Sequence, residues 1–427
     1  MNTYTTRAID EELEDLMQQL GAIAVDGAKG VGKTATLQRR ARTIYRLDRE
    51  AERAVVAADP DIVTQAAVPV LVDEWQRVPE VWDAIRRAVD ENATPGRFLL
   101  TGSATPDHQP VHSGAGRIVN VRMRPMALFE RDLVTPTVSL GQILAGNATS
   151  IGGASLVGLR QYALEIVRSG FPGLRHLTGV AHAKAMSAYI EHIVTRDIPE
   201  DAGLRIRRPQ LLRRWMHAYA AATATTTEYT KIQAATATGS GDPVMARSTS
   251  ESYRAALERV FILDAIEGWR PTRNQLKRAA AAPKHHLVDP ALAAALLGID
   301  DEALLHGDEA PGTPFVRDGE LFGHLFESLV TQTVRVSIQH TDARVYHFRE
   351  YYGRREIDIV VERPNQKVLA IEVKLSATID DKDVRHLLWL KEELGDDVLD
   401  MIVVNTGPHA YRRPDGVAVV PAALIGP

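Results

Sequence analysis

A stretch near the start of the chain has the residue types and the spacing that phosphate binding requires. Its eight residues are Gly27, Ala28, Lys29, Gly30, Val31, Gly32, Lys33 and Thr34. They match the pattern G-x-x-x-x-G-K-[ST] in full, between an apolar run and a helical pattern. The glycines let backbone amides turn inward around a β-phosphate, and the first turn of the helix adds partial positive charge. Lys33 is expected to reach the β- and γ-phosphates and Thr34 to place its hydroxyl on Mg²⁺, so the stretch predicts binding of ATP with Mg²⁺.

Two adjacent acids follow a second apolar run. Asp73 and Glu74 come directly after the segment Val70–Val72. An aspartate at the end of a strand can hold a water on Mg²⁺, and the neighbouring glutamate can orient the attacking water. Many surface strands end in acidic pairs, but behind a complete phosphate loop this pair predicts ATP hydrolysis.

Further polar residues could act on the γ-phosphate. Thr101 and Ser103 follow the apolar run Phe98–Leu100, where a hydroxyl could sense the phosphate; a plain strand-to-turn transition explains them equally well. Arg117 could stabilise transition-state charge as an arginine finger, within its own subunit or across to a neighbouring one. A solvated surface arginine is the alternative interpretation of Arg117.

A second group of ionisable residues lies near the end of the chain. Asp358 lies in the segment EIDIVV, and Glu372 and Lys374 lie in AIEVK. Side chains two apart on a strand share a face, so Glu372 and Lys374 project together and a neighbouring strand can bring Asp358 beside them. Two acids and a lysine can bind a divalent metal and activate water against a phosphodiester, as in the D-Xn-E-x-K arrangement of restriction-like nucleases. Glu327 could add a further acid; alternatively, the group is a structural charge cluster.

The phosphate loop needs a strand before it and a helix after it, and the apolar patterns supply both. The predicted strands are 22–26, 54–59, 68–73 and 97–100. The predicted helices are 10–20, the segment from the loop to residue 45, and 81–91. Alternation of strands and helices predicts a wound α/β sheet in this third of the chain.

The rest of the chain changes character twice. The middle is helical, with predicted helices at 209–223, 225–238 and 248–263 and a wing near 269–277. Three helices and a wing are typical of a winged helix that reads DNA, but the third helix mixes acids with arginines, so a packing module is the alternative. The last third returns to mixed α/β, with predicted strands at 345–349, 356–361 and 368–373 and helices at 321–336 and 381–393.

Composition bounds the classes of protein. The chain has 427 residues, of which 45% are hydrophobic, and because one core rarely exceeds roughly 250–300 residues, two or three domains are expected. Its 55 acidic and 50 basic residues give a net charge of −5, which indicates no global attraction to nucleic acid. There is no cysteine, which excludes disulfides and thiolate zinc sites. No signal peptide or membrane-spanning run is recognisable, so a soluble cytoplasmic protein is expected.

Segments along nearly the whole chain resemble a known family. They are VDGAKGVGKTATL, VLVDEWQRVPEVWDAI, RFLLTGSATP with GAGRI, SGFPGL at 169–174, IVTRDIPE at 193–200, HLVDPALAAALLG at 286–298, FESLV at 326–330 and EIDIVVERPNQKVLAIEVK at 356–374. In these segments and in their order, the sequence is similar to prokaryotic AAA-type (AAA+) P-loop ATPases with a C-terminal restriction-endonuclease-like domain of unknown function. The family loop more often reads G-P-R-Q-V-G-K-T, but the phosphate-binding positions are intact here.

The resemblance implies an α/β protein in three parts. An AAA-type P-loop ATPase domain is expected over residues 1–140, a helical region with a winged-helix-like module over 141–280, and a nuclease-like α/β domain of the PD-(D/E)xK type over 281–427. The members of this family are mostly uncharacterised, so the resemblance implies the parts rather than the purpose.

Three functions are open at this point. ATP hydrolysis could move the appended domains, with double-stranded DNA or a protein as the partner. The protein could instead be a switch or scaffold that binds ATP and recognises DNA or a protein without cleavage, or it could be an ATP-regulated, metal-dependent DNA nuclease. A finger shared between subunits would require a homo-oligomer, whereas a finger acting within its own subunit would not.

Overall fold

A parallel sheet with helices on both faces forms the N-terminal part of the computed structural model, which describes residues 4–104, 116–147, 150–237, 245–271, 281–305, 319–350 and 353–427. Within those ranges the sheet has five strands in the order β2-β3-β4-β1-β5. The strands are β1 Ala22–Asp26, β2 Thr43–Arg46, β3 Val70–Asp73, β4 Phe98–Gly102 and β5 Ile118–Arg122. The helices are α1 Ala8–Met17, α2 Lys33–Gln38, α3 Glu50–Ala58, α4 Ile62–Gln65 and α5 Glu80–Glu91.

The strand that precedes the phosphate loop lies inside this sheet, between two neighbours. β1 pairs with β4, where Ala24 lies opposite Leu100, and with β5, where Ala24 lies opposite Asn120. Its first four residues are buried, as expected for an apolar strand of a parallel sheet with helices on both faces. Since all pairings of the sheet are parallel, the carboxyl ends of its strands share one edge, and the loop at 27–34 lies at that edge.

The structure confirms the strand predicted at 22–26 and the helix predicted at 81–91, and it corrects two other predictions in this part. Segment 54–59 was predicted as a strand but lies mostly in helix α3, where Val56 is buried and Val55 is 53% exposed. A short apolar run does not distinguish a strand from one face of a helix. The helix predicted to reach residue 45 ends at Gln38, because Thr43–Arg46 pairs with β3 as an edge strand.

Helices make up most of the middle of the chain. They are α6 Leu140–Ala145, α7 Leu159–Val167, α8 Gly179–His192, α9 Ile198–Asp201, α10 Pro209–Ala221, α11 Tyr229–Ala234 and α12 Arg247–Arg259. A π-helical turn, Ile193–Asp197, joins α8 to α9. After α12, antiparallel bridges join Leu263 to Leu287 and Ile266 to Lys284. Residues 272–277 of the predicted wing lie outside the described residues, and the winged-helix assignment stays a prediction.

A mixed sheet dominates the C-terminal part. Its described strands follow the order β12-β13-β11-β10-β9-β8-β7. They are β7 Glu267–Trp269, β8 Arg344–Arg349, β9 Glu356–Glu362, β10 Val368–Val373, β11 Val398–Asn405, β12 Tyr411–Arg412 and β13 Ala418–Pro421. The helices are α13 Pro290–Leu297, α14 Asp301–Leu305, α15 Gly319–Ser337 and α16 Asp381–Leu394. The strands predicted at 345–349, 356–361 and 368–373 and the helices predicted at 321–336 and 381–393 are confirmed.

The parts are joined by pairing and packing. A short strand β6, Val138–Ser139, pairs with β14, Ile425–Gly426, at the other end of the chain. β7 lies before residue 280 and yet pairs with β8 of the C-terminal sheet. Contacts therefore cross both predicted boundaries, 140 and 280, and the division into three domains stays a prediction. Among the described residues, no helix combines the length and the apolar character needed to cross a membrane.

Candidate nucleotide site and C-terminal charge cluster

The phosphate loop connects β1 to α2 at the carboxyl edge of the parallel sheet. The backbone at Gly27 passes so close to the next strand segment that a Cβ atom there would lie 2.3 Å from the Met123 carbonyl oxygen. At Gly32 the backbone is left-handed, with φ of 110°. Glycine tolerates both conditions, which is why the spacing of glycines in the motif is needed for this turn.

Lys33, the first residue of α2, is folded into the loop. Its Nζ atom donates to the carbonyl oxygens of Gly27, at 2.6 Å, and Ala28, at 3.1 Å. The side chain is buried, and burial lowers the pKa of Lys33 to about 8, while the nearby carboxylates of Glu74 and Asp26 act in the opposite direction. Phosphate oxygens would replace the two carbonyl groups as acceptors and would favour the charged ammonium.

Thr34 and Asp73 are brought together as the sequence predicts. The Thr34 hydroxyl donates to Oδ1 of Asp73 at 2.7 Å. The Thr101 hydroxyl donates to the same oxygen at 2.6 Å, since β4 lies beside β3 in the sheet. Two hydroxyls and a buried carboxylate thus surround one point directly beside the loop. These are oxygen donors of the kind that Mg²⁺ prefers.

Glu74 follows Asp73 with a backbone conformation that is uncommon for a residue other than glycine, at φ 58° and ψ 48°. Its backbone N–H donates to the Thr101 hydroxyl at 2.9 Å. Its Oε2 atom accepts hydrogen bonds from the Ser103 hydroxyl, at 2.7 Å, and from the side-chain amide of Gln76, at 2.5 Å. The Ser103 side chain is therefore hydrogen-bonded to Glu74. The sequence analysis did not single out Gln76, although it lies only two positions after Glu74.

The position of Arg117 contradicts the prediction that it acts as an arginine finger within its own subunit. Arg117 precedes β5, whose first residue lies opposite Ala22 and whose last residue lies opposite Asp26. The five residue-to-residue steps from Arg117 to Arg122 span roughly 16 Å at about 3.3 Å each, so Arg117 lies at the edge of the sheet away from the loop. There it is ion-paired with Asp90 at 2.7 Å. The segment 105–115 that precedes it lies outside the described residues.

A different arginine lies at the loop edge. Arg122 is the residue opposite Asp26, and burial lowers its pKa to about 10. Its guanidinium lies 3.9 Å from the centre of the Phe261 ring. Burial raises the pKa of Asp26 to about 6, against the opposing charges of Arg122 and Lys33. Arg122 lies one strand length away from Arg117. No sequence motif marks it, and its position at the end of an apolar strand is the one feature that could have pointed to it.

The helical region contacts the outer part of the loop. Lys29 Nζ lies 2.7 Å from Oδ1 of Asp197 and 2.6 Å from Oδ2 of Asp201. The Tyr189 hydroxyl donates to the Lys29 carbonyl oxygen at 2.8 Å. The carboxylates raise the pKa of Lys29 although partial burial lowers it. A variable position of the loop motif is therefore tied to α8, the π-helical turn and α9, a contact that the loop sequence alone does not predict.

A cavity of about 640 Å³ opens beside the loop and α2. The residues lining it include Tyr4, Gly32, Ala35, Arg39, Pro172 and His176. Its size is in the range of pockets that bind small molecules. The Arg39 guanidinium lies 4.4 Å from the centre of the Tyr4 ring on one wall of this cavity. The segment SGFPGL, which had no assigned role beyond the resemblance, forms part of the wall through Pro172.

At the other end of the chain, a buried lysine occupies the centre of the acidic group. Lys284 Nζ lies 2.7 Å from Glu327 Oε1 and 3.2 Å from Asp358 Oδ1. A carboxylate oxygen of Glu356 lies 3.2 Å from the same nitrogen. These carboxylates raise the pKa of Lys284 above its ordinary value, despite a burial that lowers it. Sequence analysis missed Lys284, whose only sequence signal is a lysine at the start of a largely buried segment.

Glu372, in β10, and Lys374, the residue directly after that strand, are ion-paired at 2.6 Å. Oδ2 of Asp358 accepts the backbone N–H of Val373 at 2.9 Å, so both Asp358 oxygens have partners. Burial raises the pKa of Glu372 to about 8, and the nearby Asp358 acts in the same direction. Across the described ranges, no group of three or more His, Cys, Asp or Glu side chains is placed to hold a metal ion. Lys284 and Lys374 place positive charge beside Asp358 and Glu372. A metal site at these two acids stays a prediction.

Three family models match separate parts of the chain. Residues 20–131 match a model described as an AAA domain. Residues 159–303 match a domain of unknown function (DUF8612), and residues 322–425 match another (DUF4143). Neither of the last two descriptions names a nuclease or a winged helix, so both of those assignments stay predictions.

Similar proteins and structures span much of the chain. Over 420 residues, the chain is 23% identical to an uncharacterized protein of Mycobacterium tuberculosis and to one of Mycobacterium bovis, with 97% of this chain and 82% of each relative covered. A Walker-type ATPase of Pyrococcus abyssi is 14% identical with a TM-score of 0.39, covering 69% of this chain and 96% of that one. The ORC2 protein of Aeropyrum pernix, solved in ADPNP–ADP complexes, is 15% identical with a TM-score of 0.27, covering 69% and 91%. Similarities this distant carry no argument about the fold.

The match to the AAA domain agrees with the geometry of the site around the phosphate loop. The matched range contains the phosphate loop, β3 with Asp73 and Glu74, and β4 with Ser103. The sheet is parallel and the loop leads from a strand into a helix. The match and the site together support an AAA-type P-loop ATPase domain over residues 20–131.

Proposed function

We propose that this protein is a Mg²⁺-dependent ATPase. The proposal rests on one observation: the hydroxyls of Thr34 and Thr101 both donate a hydrogen bond to the same oxygen of Asp73, directly beside the loop. This donor set suits Mg²⁺, with Thr34 and Asp73 as the residues that would hold it. The ion, when bound with ATP, neutralises charge on the phosphates.

The other residues of the site have separable roles. The loop amides and Lys33 bind the phosphates, and Lys33 exchanges its two carbonyl acceptors for phosphate oxygens. Glu74 is the group that accepts a proton from the attacking water. The cavity at Tyr4 and Pro172 lies beside the loop and has room for a nucleoside, whose base could pack on the Tyr4 ring.

Hydrolysis is proposed to act on the rest of the protein through the loop. The Lys29 contacts with Asp197 and Asp201 link the loop to the helical region, so a change of the loop on phosphate binding reaches the π-helical turn and α9 directly. ATP turnover would thereby move domains that bind double-stranded DNA or a protein partner. Assembly into a homo-oligomer, with Arg117 acting across to a neighbour, is part of the same hypothesis.

A second candidate is an ATP-dependent switch that recognises its partner without cleaving it. The observation that favours it is the Lys284 ammonium among the carboxylates of Glu327, Asp358 and Glu356. The Lys284 ammonium is a cation built into the chain, and it occupies the position among these acids that a metal would need. The same observation argues against the ATP-regulated nuclease.

ATP turnover measured with and without double-stranded DNA tests the first proposal. Wild-type protein is expected to release phosphate in the presence of Mg²⁺, and Glu74→Gln is expected to bind ATP but to lose turnover by about 100-fold or more, the scale of a general-base contribution. Stimulation by DNA would identify the partner class. An equal rate for wild type and Glu74→Gln would remove the assignment of Glu74, and absence of turnover with tight ATP binding would favour the switch.

A further inference from the structure

The side chain of Gln76 is placed on the carboxylate that the proposed function assigns as the base. Gln76 lies in a 3₁₀ turn, Trp75–Arg77, directly after β3 and Glu74. Its Nε2 atom lies 2.5 Å from Oε2 of Glu74 and 3.0 Å from the hydroxyl oxygen of Ser103. The Ser103 hydroxyl lies 2.7 Å from the same Glu74 oxygen. Three polar side chains therefore meet in a closed triangle of hydrogen bonds.

The chemistry of the three groups fixes the direction of each hydrogen bond. An ionised carboxylate only accepts, so the amide nitrogen of Gln76 and the hydroxyl of Ser103 must both donate to Glu74. A serine hydroxyl has a single hydrogen. Because Gln76 also donates to the Ser103 oxygen, the hydroxyl hydrogen is left to point at Glu74. Gln76 thus acts on Glu74 twice, directly and through Ser103.

The opposite end of the Gln76 amide behaves differently. Its Oε1 atom is buried and, among the described residues, has no hydrogen-bond partner. Buried polar atoms nearly always have a partner. A glutamine that served only to fill a network would be expected to use both ends of its amide, whereas here the donor end alone is engaged, and it is engaged with Glu74.

Glu74 is held at its backbone as well. Its left-handed conformation is uncommon for a residue other than glycine, and such conformations concentrate at functional sites. The backbone N–H is fixed by Thr101. Within the described part of the chain, hydrogen bonds reach Oε2 of Glu74 and none reaches Oε1. One carboxylate oxygen is thus immobilised and the other is left available.

We propose that Gln76 is a positioning residue for ATP hydrolysis, which holds Oε2 of Glu74 so that Oε1 receives the proton of the attacking water. The inference rests on the proposed function. As the water O–H bond breaks and its proton passes to Glu74, the water oxygen bonds to the γ-phosphorus. The bond from that phosphorus to the bridging oxygen breaks, and ADP leaves with the electron pair. Gln76 itself exchanges no proton and acts only through Glu74 and Ser103.

Two variants and a matched control test the assignment in the full-length protein. Gln76→Ala removes the side chain, and Gln76→Glu keeps its size but replaces the donor by an acceptor. Gln65→Ala, an exposed glutamine of the same sheet domain in α4, is the control. Single-turnover hydrolysis at saturating ATP gives the rate, and binding of a fluorescent ADP analogue gives the affinity. Both Gln76 variants are expected to lose about 10- to 100-fold in rate, part of a general-base contribution, with affinity changed less than about twofold.

The outcomes separate this inference from the proposed function. If wild type turns over ATP and Glu74→Gln does not, but both Gln76 variants keep the wild-type rate, the positioning role is overturned and the ATPase assignment stands. If both Gln76 variants lose affinity in step with rate, the residue supports the fold of the site and the inference is again overturned. If wild-type protein and Glu74→Gln hydrolyse ATP equally, the role of Glu74 in the proposed function is overturned, and the inference about Gln76 is overturned with it.

Discussion

The Nζ atom of Lys284 lies 2.7 Å from Oε1 of Glu327, at a point where the two side chains are 1% and 10% exposed. Lys284 comes from the segment that bridges to Ile266 after α12, and Glu327 comes from α15. Asp358 and Glu356 of β9 complete the surroundings of the ammonium. The cluster therefore ties the segment at Lys284 to α15 and to β9 of the C-terminal sheet.

Replacing this lysine is expected to be strongly destabilising. Lys284→Met keeps most of the volume but removes the cation that pairs with Glu327 and Asp358, and removing one partner of a buried ion pair costs about 3–5 kcal/mol. The free energy of unfolding, measured by urea denaturation, should fall by that amount. Lys382→Met is the control, because Lys382 is 75% exposed and its pair with Asp380 lies at the surface. Equal effects of the two substitutions on the free energy of unfolding would contradict the stabilising role of the cluster.

Because Lys284 is ion-paired with Asp358 and Glu327, two of the acids that the sequence suggested for a metal, plasmid DNA is expected to stay intact. Wild-type protein incubated with supercoiled plasmid and Mg²⁺ or Mn²⁺, with and without ATP, should give no nicked or linear product above a protein-free control. Lys374→Ala should behave in the same way. Cleavage by wild type that Lys374→Ala abolishes would restore the nuclease hypothesis and would require Lys284 to leave the cluster.

The fold around the loop was predictable from the sequence because its signals are local. An apolar run, a complete glycine motif and a helix follow one another within residues 22–38, and each is sufficient to identify its own element. The prediction for the α3 segment was wrong because its local signal is ambiguous. Its apolar residues occur in a short run that fits a strand or a helix face equally well, and packing of Val56 decided for the helix.

The site was predictable only where function dictates residue type. Thr34, Asp73 and Glu74 were predicted as site residues because phosphate and Mg²⁺ chemistry needs those groups at those spacings, and the structure brings the Thr34 hydroxyl to 2.7 Å from Asp73. Lys284 was missed because ion pairs between side chains distant in sequence leave no periodic signal. Gln76 was missed because the 3₁₀ turn that directs its amide to Glu74 has no sequence signature of its own. The position of Arg117 far from the loop of its own chain was not predictable, because residue type alone does not show at which end of a strand an arginine lies.

The ion pairs of Lys29 provide a test of the link between the loop and the helical region. Lys29→Met removes the cation between Asp197 and Asp201, and because Lys29 is 32% exposed the loss should be modest, about 1–2 kcal/mol in the free energy of unfolding. Asp201→Asn should reduce the effect of Lys29→Met in the double variant, because the two residues are in contact. Additive effects of the two substitutions would show that the pair contributes no coupling.

A contact between the first helix and the end of α15 should give the protein a measurable pH dependence. Gln339 donates to Oε2 of Glu12 at 2.7 Å. Burial raises the pKa of Glu12 from 4.5 to about 7, against the opposing effect of that hydrogen bond. Between these two values the folded protein holds a proton that the unfolded chain has released, so the free energy of unfolding falls as the pH rises through this window.

Glu12→Gln removes this titration and keeps the size of the side chain. The loss of stability between pH 5 and pH 8, measured as the shift of the urea midpoint, should therefore be smaller in Glu12→Gln than in wild type. Glu11→Gln is the matched control, since Glu11 is exposed on the same helix and should leave the wild-type pH dependence in place. A Glu12→Gln protein whose midpoint shifts as much as that of wild type would show that Glu12 is ionised throughout this range in the folded protein.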